Sequence, residues 1–99
     1  AGPRAGPGAI AGAEASKVKA VMLIEIEGHW TDKVAKRLSG IPQVRTIHST
    51  NGRWDLLAEL EVASMGELSK ALGRIRLLKG IRLTETSILL ASSLQASYK

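Results

Sequence analysis

From Val18 to Ile26 the chain reads VKAVMLIEI, apolar on both alternations: Val18, Ala20, Met22, Ile24 and Ile26 on one, Val21 and Leu23 on the other. A strand greasy on both faces is covered on both sides, so this pattern predicts a central strand, which Gly28 ends. The period then changes. Val34, Ala35, Leu38 and Ile41 recur at helical spacing with Lys33, Lys36 and Arg37 turned outward. Thr31, ahead of Asp32, is an acceptable N-cap, and Gly40 and Pro42 stop the helix. Val44 to Thr50 is a β-branched second strand. Asn51-Gly52 is a tight-turn signal that leads it back into a third strand, Trp54 to Val62. There Leu56, Ala58, Leu60 and Val62 alternate with Asp55, Leu57, Glu59 and Glu61, giving one core face and one mixed face. Ser64 and Glu67 make a capping box, and Met65, Leu68, Leu72 and Ile75 form the helical stripe behind it. Gly80 closes this region, a last strand runs from Ile81 to Ala91, and the end is polar.

The order is βαββαβ. As a split βαβ pair this predicts a ferredoxin-like α+β domain: a four-stranded antiparallel sheet with two helices on one face. The helices leave the other face open. By straight alternation that face carries Val21, Leu23, Ile47, Leu57, Ile88 and Leu90, an apolar surface whose burial is worth several kcal/mol at about 25 cal/mol per Å². A dimer packed through the open sheet faces is the expected remedy.

Composition narrows the class. Ninety-nine residues support one domain, and 44% hydrophobic with 23% charged residues fits an ordinary globular chain rather than a disordered or membrane one. Residues 1–16, AGPRAGPGAIAGAEAS, lack any periodic apolar pattern and read as a flexible tail or an expression remnant, with the folded domain in 17–99. As a signal peptide this stretch lacks the apolar core such peptides need. Cysteine is absent, which excludes disulfides and thiolate metal sites and points to the cytoplasm or to stabilisation by oligomerisation. The net charge of +5 is compatible with a nucleic-acid footprint, but no stacking aromatics are interleaved with the bases, and a solvated basic surface explains it as well.

Three stretches carry a resemblance. They are IPQV at Ile41 to Val44, NGRWDLLAEL at Asn51 to Leu60 and KGIRLTETSILL at Lys79 to Leu90. In this order and spacing the chain resembles, over Val18 to Leu90, the effector-binding (RAM) domain of Lrp/AsnC transcriptional regulators. The resemblance implies a βαββαβ subunit that dimerises through its sheet, assembles further, often to an octamer, and binds a small effector, commonly an amino acid, in clefts between dimers. Where that family carries a helix-turn-helix, this sequence has only the Gly/Ala stretch. A stand-alone form that joins full-length regulators is therefore expected, without direct DNA binding and without a membrane.

The turn offers the chemistry for such a ligand. Gly52 permits positive φ, so the backbone N–H groups at Asn51 and Gly52 can converge on a carboxylate. Arg53 can add a bidentate contact, and Asp55 can accept an α-ammonium. The structural alternative is a plain hairpin in which Asp55 bonds turn amides or pairs with Arg53. By the resemblance, Thr84 and Thr86, either side of Glu85, approach the effector cleft, although threonine is also simply a good strand residue. His29 and His48 are far apart and without metal-ligand spacing, so no metal or cofactor is expected. Arg74, Arg76, Lys79 and Arg82 gather near the end of the second helix, where cations suit the helix C-terminus. Neither a nucleophile–base arrangement nor a Walker-type loop is present, and a non-enzymatic regulatory module is the expectation. The rivals are an enzyme or haem-handling protein on the same dimeric fold, built around His48 or His29, an ACT-like domain of the same strand order, and a purely structural oligomerisation domain.

Overall fold

The computed structural model describes residues 17–90. The expected tail at 1–16 and the end of the chain from Ala91 lie outside the described residues. The elements are β1 (Val18–Ile26), α1 (Thr31–Ser39), β2 (Val44–Ser49), β3 (Leu56–Val62), α2 (Met65–Arg76) and β4 (Ile81–Leu89). The strands form one antiparallel sheet in the order β2-β3-β1-β4. This is the ferredoxin-like arrangement that the hydrophobic periods predict.

Ala20, Met22, Ile24 and Ile26 of β1 and Leu56, Ala58, Leu60 and Val62 of β3 form the sheet side of the core. Val34 and Leu38 of α1 and Leu68, Ala71 and Ile75 of α2 close it from above. Met65, expected in the stripe of α2, is 53% exposed, and Ala71 takes the core position. α2 starts as predicted: Ser64 Oγ accepts from Glu67 N–H at 3.1 Å, and Glu67 Oε1 accepts from Ala63 N–H at 2.8 Å. α1 starts one residue earlier than expected. Its N-cap is Trp30, with no side-chain cap bond, and Thr31 is already helical.

Two expectations about the sheet faces are corrected. Ile47 pairs with Ala58, and Ile88 pairs with Ala20, so both stand on the helix-facing side. The cause is one extra residue in each edge strand. Val44 pairs with Leu60 and Thr46 with Glu59, leaving Arg45 unmatched; Ile81 pairs with Ile26 and Leu83 with Glu25, leaving Arg82 unmatched. A β-bulge shifts the alternation by one, and every side chain beyond it changes face. The open face therefore carries Val21, Leu23 and Leu57 with Leu83 and Leu89 of β4, the last two each 45% exposed. Leu90 lies past the end of β4 and is 95% exposed.

Candidate functional site

The third strand begins at Leu56 rather than Trp54, so β2 and β3 are joined by a six-residue loop, Thr50 to Asp55, and not by a two-residue turn. Thr50 closes it: its N–H donates to Asp55 O at 3.1 Å and its hydroxyl donates to Trp54 O. Gly52 sits at the tip with φ 143°, and space around it is open, so glycine is there for the backbone angle and not for want of room.

Asp55 has a definite task at the sheet edge. Its N–H donates to Ile24 O at 2.9 Å, and its Oδ2 accepts from Ile26 N–H at 2.7 Å. β3 supplies no backbone carbonyl opposite Ile26, and the carboxylate stands in for one. That is why an acid opens an apolar strand: it satisfies a half-buried donor at the end of the ladder, with the added strength of a charged acceptor.

Arg53 lies beside it. The guanidinium stacks over the Trp54 ring, 4.5 Å from the centroid, and its Nη1 is 3.2 Å from Glu25 Oε2. Glu25 also faces Arg82 Nε at 4.0 Å, so this one carboxylate of β1 links the loop to the bulge of β4. Glu25 is not among the residues the sequence points to, and Arg82 is expected there only as one of the cations near the end of the second helix. The available signal was Glu25 itself, an acid near the end of an otherwise apolar strand.

Thr84 and Thr86 are not brought to the loop. They pair with Ile24 and Met22 on the helix-facing side of β4, and β1 runs between them and β3, about 10 Å at ordinary strand spacing. Thr84 lines a cleft of about 310 Å³ with Arg76, Ile81, Arg82 and Leu83. The Thr86 hydroxyl is buried without a hydrogen-bond partner. Within one chain, then, Asn51, Gly52, Arg53 and Asp55 form one group and the two threonines another, with β1 between them.

His29 is exposed, and His48, also exposed, lies 3.7 Å from Glu59. Among the described residues no group of three or more His, Cys, Asp or Glu is placed to hold a metal ion, and no helix is long and apolar enough to cross a membrane.

The element order and the antiparallel sheet with its two helices correspond to a known domain. Residues 19–97 match the Lrp/AsnC ligand binding domain. The chain belongs to this family. E. coli AsnC superimposes with a TM-score of 0.76 over 99% of this chain and 64% of its own, at 17% identity, which speaks for the fold. The feast or famine regulatory protein of M. tuberculosis, solved in complex with L-methionine, matches with a TM-score of 0.68 and 25% identity over 99% of this chain and 64% of that one. Among curated proteins, homocitrate synthase of Sulfurisphaera tokodaii is 32% identical over 74 residues, which is 74% of this chain. The chain spans only 16% of that enzyme's length, so the likeness is to a domain-sized segment. The family is one of regulatory ligand-binding domains, and the Lrp/AsnC domain here is a small-molecule-binding regulatory fold.

Proposed function

We propose that this Lrp/AsnC domain, residues 17–99, binds an amino acid at the Thr50 to Asp55 loop and works as a non-enzymatic regulatory module. The observation that carries the reading is the placement of Arg53 and Asp55, opposite charges two positions apart in one loop and both held against the end of β1, in a family of ligand-binding domains with a relative bound to L-methionine. A zwitterion needs a cation for its carboxylate and an anion for its ammonium within a few Å. Arg53 answers the first, and the second oxygen of Asp55 answers the second. Asn51 and Gly52 supply backbone N–H groups at the tip. Thr84 and Thr86 join the site from another subunit of the assembly rather than from the same chain, since β1 separates them here.

The assembly is a cytoplasmic dimer packed through the open sheet face, extended to a higher oligomer such as an octamer. Co-assembly with full-length Lrp/AsnC regulators is the route by which it modulates transcription. An effector at a seam between subunits shifts such an assembly only by its differential affinity for the competing forms. Calorimetry with a panel of amino acids tests the reading. One of them binds, and Arg53→Ala weakens it about tenfold or more, the loss of a charge-assisted pair. Indifference of the chain to every amino acid, or an unchanged affinity in Arg53→Ala, removes this loop from the function.

A further inference from the structure

The two halves of the domain repeat each other at their helix ends. After α1, Gly40 N–H donates to Arg37 O, Ile41 N–H to Leu38 O and Val44 N–H to Ile41 O. After α2, Leu77 N–H donates to Arg74 O, Leu78 N–H to Ile75 O and Ile81 N–H to Leu78 O, the same hook at a constant shift along the chain. In each hook a carbonyl then accepts from an inner strand or the residue just past it: Gln43 O from Glu61 N–H of β3 at 3.0 Å, Gly80 O from Glu27 N–H after β1 at 2.8 Å. Each hook is followed by the arginine that bulges an edge strand, Arg45 or Arg82. Beside each hook stands the N-cap of the opposite helix, Trp30 next to Gly80 and Ser64 next to Gln43.

The hooks differ in what fills the space over them. At Gly80 the Trp30 side chain lies so close that a Cβ added to the glycine would stand 2.6 Å from Trp30 Cβ. Lys33 and Lys79 each hold an ammonium 5.1 Å from the indole centroid. At Gln43 the N-cap is a serine, and its small side chain leaves a cleft of about 450 Å³, walled by Ala71, Lys70 and Arg74. Gln43 Oε1 is buried there without a hydrogen-bond partner. Glu67 also borders the cleft, but its Oε1 is taken by Ala63 N–H. Among the described residues Lys70 and Arg74 have no carboxylate partner.

We propose that this cleft binds a planar aromatic carboxylate of indole size, at a site separate from the Thr50 to Asp55 loop. The ring takes the place that Trp30 occupies at the other hook. The carboxylate is held by Lys70 and Arg74, and the Arg74 guanidinium can also cover the ring face, as the two lysines do for Trp30. The volume falls within the range of about 300 to 1,000 Å³ usual for small-molecule sites.

Indoleacetate titrated into the isotope-labelled full chain, followed by amide NMR, tests this. Saturable shifts centred on Gln43, Gly66, Lys70 and Arg74 are expected. Arg74→Ala weakens binding about tenfold or more, and cyclohexylacetate, which lacks the π face, binds about tenfold weaker than indoleacetate. Ser64→Trp fills the cleft from within and abolishes binding, while Arg53→Ala leaves it unchanged. Shifts confined to Thr50–Asp55, no saturable shifts, equal affinity for acetate alone, or full affinity in Arg74→Ala overturns the proposal. Because Arg74 is exposed, that last measurement stands whether or not Ser64→Trp folds.

Discussion

Asp55 shows how one side chain serves the fold before it serves any ligand. Its carboxylate closes the ladder at Ile26 N–H, so Asp55→Ala should cost about 1 to 3 kcal/mol in urea unfolding, the price of a half-buried donor left without an acceptor. Asp55→Asn keeps an oxygen in place and should lose less. A loss of binding in Asp55→Ala would therefore mix structural and functional effects. Arg53, whose contacts are exposed, separates them: Arg53→Ala should change stability by less than about 1 kcal/mol. Gly80 is the opposite case, a residue whose absence of a side chain is the point. With φ +101° and the Trp30 side chain within 2.6 Å of any Cβ, Gly80→Ala should destabilise the chain by about 3 kcal/mol or more, read from the urea midpoint.

At the level of the element, caps and bulges decide what periodicity alone leaves open. The capping box of α2 was legible because Ser64 and Glu67 act on neighbours a few residues away; Ser64→Ala should cost about 1 kcal/mol. The N-terminus of α1 was read one residue late because Thr31 is the obvious capping type, whereas Trp30 holds the position through packing against Gly80 and the core. The faces of β2 and β4 were read wrongly beyond Arg45 and Arg82. Nothing in VRTIHS or IRLTETSIL marks an extra residue, since a bulge depends on how the neighbouring strand runs. One substitution checks the corrected face. Ile47→Ala should cost about 1 to 2 kcal/mol while leaving the oligomeric mass unchanged, because Ile47 packs against the core and not on the open sheet.

Over the whole molecule the charges are divided between the two layers. Every Lys or Arg ion pair among the described residues lies on the sheet side, at Lys17–Glu61, Arg45–Glu61, Arg53–Glu25 and Arg82–Glu25. These pairs rim an apolar strip of Val21, Leu23, Leu57, Leu83 and Leu89. The helices instead carry Lys33, Lys36, Arg37, Lys70, Arg74 and Arg76 against Asp32 and Glu67, so the excess positive charge belongs to the helix layer. An apolar strip with paired charges at its edge suits a like surface of a second copy, and the unpaired cations of the helix layer keep that side in solvent. Leu23→Asp, at the middle of the strip and opposite Leu57, should reduce the mass measured by light scattering to that of the monomer. An unchanged mass would place the interface elsewhere.

The strand and helix order, the core faces of β1 and β3 and the family resemblance were determined by the sequence itself, because each rests on a local period or on short stretches in fixed order. The turn residues were also visible there, since Gly52, Arg53 and Asp55 are types with few structural uses. Which partners they meet depends on the packing of strands distant in sequence. Asp55 reaches Ile26 and Arg53 reaches Glu25 across strands far apart in the chain, and Thr84 and Thr86 stand two strands away from both because β1 lies between. The bulges at Arg45 and Arg82, and the cleft beside Gln43 that is the counterpart of the Trp30 site, belong to the same class. They arise from the fit of one element against another, which no window along the chain contains.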